Sequence, residues 1–249
     1  MIGTNSPGNA SNELNLPKGI FLDRESNILY VADTGNRRIQ MLSLNQSSTM
    51  GVTVASNIDS LTAIYVDENG ATIYAALRYQ DRVIKLTKNA SSSVEIGDQC
   101  KQCAGVWVDS EKNVYMAESG THSILKWSPK TNTTVTVAGQ TDEEGHGAGH
   151  LYFPTSIYVD RLDGALFIAD TRNNRIQKWN NNSQAGVTVA GSMNGDEGSD
   201  ASKLANPLSV WTDEGSEVVY IADSDNNRIQ RWLTKATNGT TIAGGAGNL

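Results

Sequence analysis

At 249 residues the chain is long enough to bury a full core, as one large domain or two small ones. Its net charge of −7 argues against nucleic acid or an anionic membrane as partner, since both are met by clustered Lys and Arg, and the 23 glycines among 38% hydrophobic residues are those of a turn-rich globular protein. No apolar run approaches the roughly 18 residues of a membrane span, and MIGTNSPGNA lacks the charged and apolar regions of a signal peptide, so no membrane insertion is expected and the sequence names no compartment on that ground.

In chain order the organisation is periodic. Short apolar runs closed by an aspartate recur as GIFLD ending at Asp23, AIYVD at Asp67, GVWVD at Asp109, SIYVD at Asp160 and SVWTD at Asp213, at spacings of 44, 42, 51 and 53 residues. After each come a polar turn and a β-rich run: NILYVAD, ATIYAAL, NVYMAE, ALFIAD and EVVYIAD. A four-residue turn then leads to RIQML, RVIKL, SILKW, RIQKW or RIQRW, and most units add a fourth run such as GVTVAS, TVTVAG or GTTIAG. Such runs, bounded by Gly, Asn, Asp and Ser, read as strands joined by hairpins, and four antiparallel strands per unit of about 45–50 residues make a propeller blade. The expected fold is all-β: a β-propeller of four-stranded antiparallel blades, with five repeats at approximately 14–57, 58–99, 100–150, 151–203 and 204–249 forming one domain over 1–249.

The repeated words resemble NHL repeats, whose pattern is a proline, a short inner strand ending in Asp, then YVAD, then NRIQ. The resemblance runs from Leu14 to Gly244 and is most faithful in repeats 1, 4 and 5. It implies a propeller that serves as an interaction module. NHL propellers commonly have six blades; five repeats here predict a five-bladed ring, the alternative being part of a six-bladed one. The expected function is a non-enzymatic binding or scaffold propeller for a protein or peptide, with no cofactor and no metal, acting as a monomer. The alternative is a propeller hydrolase or lyase with a metal ion in the central channel.

The acid after VA or IA and the arginine five residues on stand at the two feet of a hairpin: Asp33 with Arg38, Asp170 with Arg175, and Asp223 with Arg228. A carboxylate there accepts backbone N–H bonds from its turn and pairs with the guanidinium, which is structural work in a partly exposed turn. The inner aspartates suit Asx-type capping of the turns that follow them, an acidic ring for a cation being the other reading. Leu14 with Pro17, Leu151 with Pro154 and Leu204 with Pro207 pin the loop entering an inner strand; in repeat 3 those slots hold Cys100 and Cys103, a local disulfide or two small apolar residues rather than a redox centre.

Enzyme signals are weak. The loop GQTDEEGHGAGH, Gly139 to His150, sets two histidines beside Asp142, Glu143 and Glu144, but the spacing matches no ligand motif, and neither a phosphate-cradling GK[ST] nor a GxSxG elbow is present. Propeller connectivity puts the second-to-third-strand turns and the links between blades on one upper face. Repeats 2 and 3 depart from the pattern there, with Leu77 and Glu118 in the acid slot and short preceding links, so a recess over them is the expected binding site. Arg78, Tyr79 and His122 supply an aromatic and two donors, Glu118 lies beside them, and Asp142, Glu143 and Glu144 favour a cationic partner. On the opposite face, sequons at Asn45, Asn89, Asn132, Asn181 and Asn238 fall 22, 22, 23, 21 and 25 residues after the inner aspartates, with a further one at Asn9. Their register favours an extracellular glycoprotein, turn-forming Asn, Ser and Thr being the competing explanation.

Overall fold

The structure is a computed structural model and describes residues 3, 6–45, 50–67, 70–87, 92–213, 215 and 218–245. The five repeats form five four-stranded antiparallel sheets, each ordered along the chain, which are the blades of a β-propeller fold. Blade 1 is β1 (Gly19–Asp23), β2 (Ile28–Asp33), β3 (Arg38–Ser43) and β4 (Val52–Ser56). Blade 2 is β5 (Leu61–Val66), β6 (Thr72–Leu77), β7 (Arg82–Thr87) and the short β8 (Val94–Ile96). Blade 3 is β9 (Cys103–Val108), β10 (Val114–Glu118), β11 (Ser123–Ser128) and β12 (Thr133–Gly139). Blade 4 is β13 (Pro154–Val159), β14 (Leu166–Asp170), β15 (Arg175–Trp179) and β16 (Val187–Gly191). Blade 5 is β17 (Pro207–Thr212), β18 (Val219–Asp223), β19 (Arg228–Trp232) and β20 (Thr240–Gly244). By contacts the chain falls into two compact units, Met1–Val106 and Trp107–Leu249.

Side chains alternate across each strand, so every blade has two faces that need cover. In the first unit Phe21, Tyr30, Ala32 and Ile39 of blade 1 meet Leu61, Ile64, Val66 and Ile73 of blade 2, with Ile58 of the loop between them. In the second, Tyr115, Ala117 and Ile124 of blade 3 pack on Ile157, Val159 and Leu166 of blade 4. Phe167, Ala169 and Ile176 pack in turn on Val210, Val219 and Ile221 of blade 5. Ile64 and Ile157, three residues before their inner aspartates, are buried this way, but the equivalent Ile20 of blade 1, on the strand face away from Phe21, is 71% exposed. We therefore expect Ile64→Lys to cost about 3 kcal/mol or more and Ile20→Lys less than about 0.5 kcal/mol, read from urea midpoints. Equal losses would mean that the Ile20 face is covered in solution.

The slots that pin the inner-strand entry are buried in blades 2 to 5, whereas in blade 1 Leu14 is half-buried and Pro17 exposed. Leu151 and Leu204 are fully buried in blades 4 and 5, Ile58 and Leu61 fill both slots in blade 2, and in blade 3 Cys100 and Cys103 are buried and joined by a disulfide.

Candidate functional site

The acid and arginine of the repeat are organised by a third residue, the asparagine between them. Asp170 ends β14, and a 3-10 turn, Thr171–Asn173, reverses the chain through Asn174, which adopts the left-handed conformation that Asn tolerates. The Oδ2 of Asp170 accepts from Arg175 Nε and Asn173 Nδ2, both at 2.8 Å, while Oδ1 accepts the backbone N–H of Tyr152 at 2.7 Å. Arg175 sends its remaining donors to the carbonyls of His146, Gly147 and His150, and Asn173 donates to that of Gly145. All four carbonyls belong to the link between blades 3 and 4. The guanidinium thus holds the incoming link against its own blade.

The same network is built twice more. Asp33 accepts from Arg38, Asn36 and the N–H of Asn15, while Arg38 and Asn36 hold the carbonyls of Asn9, Ala10, Glu13 and Gly8. Asp223 accepts from Arg228, Asn226 and the N–H of Ala205, while Arg228 and Asn226 hold Ser199, Asp200, Lys203 and Gly198. Each link folds back on itself by a Gly N–H to Leu carbonyl bond, Gly8 to Leu14, Gly145 to Leu151 and Gly198 to Leu204. These bonds set the carbonyls out for the arginine. The turn was expected to be partly exposed, but the Arg175 side chain is 2% exposed, because the link closes over it. Burial is the largest influence on Asp170 and raises its pKa, against the lowering by Arg175, the Tyr152 N–H and Asn173.

This network explains where the pattern lapses. The link into blade 2 is residues 57–60 and that into blade 3 is 97–102, against 140–153 into blade 4 and 192–206 into blade 5. With no long link to hold, blades 2 and 3 have no carbonyls for a buried guanidinium. Leu77 fills the acid slot of blade 2 with apolar packing, and Arg82 swings out to Glu95. In blade 3 Glu118 is buried and accepts from Thr121 and, at 3.3 Å, from Ser123, so it presents no surface to a partner. The departures of repeats 2 and 3 thus have a packing cause.

The other sequence candidates lie in different settings. Arg78 and Tyr79, in the first unit, form the 3-10 turn of blade 2, with Tyr79 74% exposed and the guanidinium 6.0 Å from its ring. His122, in the second unit, occupies the left-handed turn position of blade 3. Its Nδ1 accepts the N–H of Phe153 at 3.2 Å, its ring meets Tyr152 edge-on, and its Nε2 lies 3.5 Å from Glu144. His150 Nε2 lies 3.7 Å from Glu143. Asp142, Glu143 and Glu144 are exposed on the link that Arg175 holds. Their side of the second unit therefore carries three carboxylates and the imidazoles of His122, His146 and His150.

At the opposite ends of the blades the inner aspartates cap their own turns. Asp23 accepts the N–H groups of Glu25 and Ser26, Asp67 those of Ala71 and Thr72, Asp109 that of Asn113, and Asp160 that of Leu162. Tyr115 donates to Asp109 and Tyr220 to Asp213, each at 3.2 Å. Burial and then the neighbouring carboxylate hold the Tyr115 hydroxyl well above the usual phenol range. Among the described residues no three His, Cys, Asp or Glu side chains stand together as a metal centre, so the channel-metal alternative finds no ligand set there. No helix among the described residues is long and apolar enough to cross a membrane. The sequon residues Asn9, Asn45, Asn132, Asn181 and Asn238 are exposed, and Asn89 lies outside the described residues.

Sequence reasoning missed two repeated roles. The asparagine of each network was one. The other is the hydroxyl after the acid, which ties neighbouring blades within a unit: Thr34 donates to the Leu61 carbonyl, Ser119 to that of Pro154 and Thr171 to that of Pro207. The recurrence of Asn three residues after each Asp was the available signal for the first; for the second it was the Ser or Thr directly after the acid, Thr34, Ser119, Thr171 and Ser224, although its acceptor on the next blade leaves no mark on the sequence.

No protein-family model matches the chain, so the resemblance to NHL repeats rests on the repeat words. Among curated proteins it is 28% identical over 129 residues to a probable peptidyl-alpha-hydroxyglycine alpha-amidating lyase of Caenorhabditis elegans, covering 51% of this chain and 35% of that protein. It is 25% identical over 142 residues to peptidyl-glycine alpha-amidating monooxygenase B of Xenopus laevis, covering 53% of this chain and 15% of that protein. The chain therefore spans about a third or less of the length of these relatives. Among solved structures it resembles a chain of a nidogen/laminin complex, with TM-score 0.73 and 18% identity over 91% of this chain and 79% of that one. It also resembles virginiamycin B lyase from Staphylococcus aureus, with TM-score 0.62 and 13% identity over 94% of this chain and 72% of that one. The structural likenesses establish the propeller fold. The expectation of a non-enzymatic protein is corrected by these findings, since the curated proteins it resembles are named as enzymes, amidating lyase and monooxygenase, and so is one of the propellers.

Proposed function

We propose that this NHL-like propeller recognises peptides on the link side of its second unit, at the loop between blades 3 and 4. The observation that supports the reading is the presentation of Asp142, Glu143 and Glu144, exposed side by side on a loop whose backbone carbonyls are fixed by Arg175. A loop already ordered loses little conformational freedom on binding, and three carboxylates attract a basic peptide and disfavour an anionic one.

A second reading, lyase chemistry on the bound peptide, is favoured by the curated relatives, whose names specify peptidyl-glycine and peptidyl-alpha-hydroxyglycine substrates. In this chain the residues for proton transfer at that surface are the three imidazoles of His122, His146 and His150. His122 accepts at Nδ1, which leaves its Nε2 to carry the proton towards Glu144, so it serves to position the link; among the described residues His150 approaches Glu143, and His146 is exposed on the same loop.

Both readings meet in one experiment. Basic peptides ending in α-hydroxyglycine are titrated into the intact chain by calorimetry, and glyoxylate release is followed on the same samples. We expect binding that weakens with salt, and a loss of roughly fivefold or more in affinity for the double variant Glu143→Gln, Glu144→Gln at unchanged melting temperature. Binding without glyoxylate would remove the lyase reading alone. No binding of basic peptides, or equal affinity of the double variant, would remove the recognition site.

A further inference from the structure

Every blade ends on an outer strand that pairs on one side only. Four of these strands carry no charge: VTVAS in β4, TTVTVAG in β12, VTVAG in β16 and TTIAG in β20; only the three-residue β8 holds an acid, Glu95. Val52, Val54, Val135, Val187 and Ile242 on them are exposed. Uncharged, β-branched edge strands are templates for pairing with another chain, and natural sheets blunt them with Lys, Pro, bulges or a cover. Each of the four carries a bulge against its neighbour, at Val54, Val137, Val189 and Ile242, but Lys and Pro are absent from them. What stands ahead of each one as well is a sequon.

Asn45, Asn132, Asn181 and Asn238 lie in the turn between the third and fourth strands of blades 1, 3, 4 and 5, all exposed and within seven residues of the outer strand. Among the described residues the Nδ2 atoms of Asn132, Asn181 and Asn238 make no hydrogen bond, and that of Asn45 makes only a long one, 3.4 Å, to the Ser26 carbonyl. The nitrogen that would carry a sugar is thus available in each. The Cys100–Cys103 disulfide is consistent with an oxidising compartment, where such modification takes place. Asn9 is outside this register, on the link that Arg38 holds.

We propose that these four asparagines are N-glycosylation sites and that their glycans shield the outer strands from pairing with other chains. A glycan at the head of the strand supplies, by bulk and hydration, the protection that charge supplies elsewhere. The function of the link side plays no part in this inference.

The test is to secrete the chain from eukaryotic cells and map its glycopeptides, then compare the folded protein before and after enzymatic removal of the glycans. Occupied asparagines at most of the four positions are expected, and the deglycosylated protein should keep its melting temperature while light scattering rises with concentration. The variant Asn45→Gln, Asn132→Gln, Asn181→Gln, Asn238→Gln should behave like the deglycosylated protein. Unmodified asparagines at most of the positions would overturn the assignment; occupied sites whose removal leaves the protein dispersed would overturn the shielding.

Discussion

Replacing Arg175 with Ala is expected to destabilise the second unit by about 3–5 kcal/mol, the cost of leaving a buried carboxylate without its cation. The variant strands Asp170 and frees the carbonyls of His146, Gly147 and His150 in one step. Arg175→Lys should recover only part of the loss, since an ammonium cannot reproduce the planar fork that reaches four acceptors. The deficit should depend on pH in a set direction. Burial already raises the Asp170 pKa and Arg175 works against it. Without the arginine the carboxyl rises further, so the variant binds a proton on folding more readily than the parent. A group with a raised folded pKa contributes stability below its unfolded value and loses it as pH rises through the folded one. The deficit should therefore shrink in acid and deepen as pH rises past the carboxylate range, as denaturant titrations at several pH values would reveal. A deficit independent of pH would place the loss in the link rather than in the carboxylate.

Gly191→Ala is the second substitution expected to have a large effect, about 2–4 kcal/mol. Gly191 closes β16 with φ +83°, a conformation that costs an L-residue, and a Cβ built there would run into the Asn174 carbonyl oxygen and the Arg175 Cα. Both obstacles are backbone, so neither can swing aside. The sequence repeats the arrangement in blades 3 and 5, where Gly139 has φ +76° against the His122 carbonyl and Gly244 has φ +67° against that of Asn227. A loss below about 0.5 kcal/mol in a chemical denaturation of Gly191→Ala would show that the strand end has room to shift.

The strands and their order were legible because the repeat displays them five times, and copies that agree suppress the noise of any one segment. The hairpin acid and arginine were legible as a pair, but their burial was not. What covers them is a link joined to the blade by carbonyls alone, and backbone acceptors leave no mark on side-chain identity. For the same reason the lapses in repeats 2 and 3 looked like a site: Leu77 and Glu118 are visible as substitutions, whereas the missing link that permits them lies one repeat-boundary earlier. Of the residues expected at a binding surface, Asp142, Glu143 and Glu144 are exposed on an ordered loop, while Glu118 is turned into its own turn. The likeness to enzymes was legible only as the alternative of a hydrolase or lyase, since the residues that repeat are those that hold blades and links together.

The repeated Asp, Asn and Arg clamp the links, and hydrogen exchange tests this most directly. In Arg175→Lys, which keeps the charge and the fold, amides of residues 145–152 should lose protection relative to the parent chain, while those of 198–205, held by Arg228, should stay as they were. Unchanged exchange at 145–152, with peptide binding or turnover lost instead, would contradict the account and return this motif to the functional site.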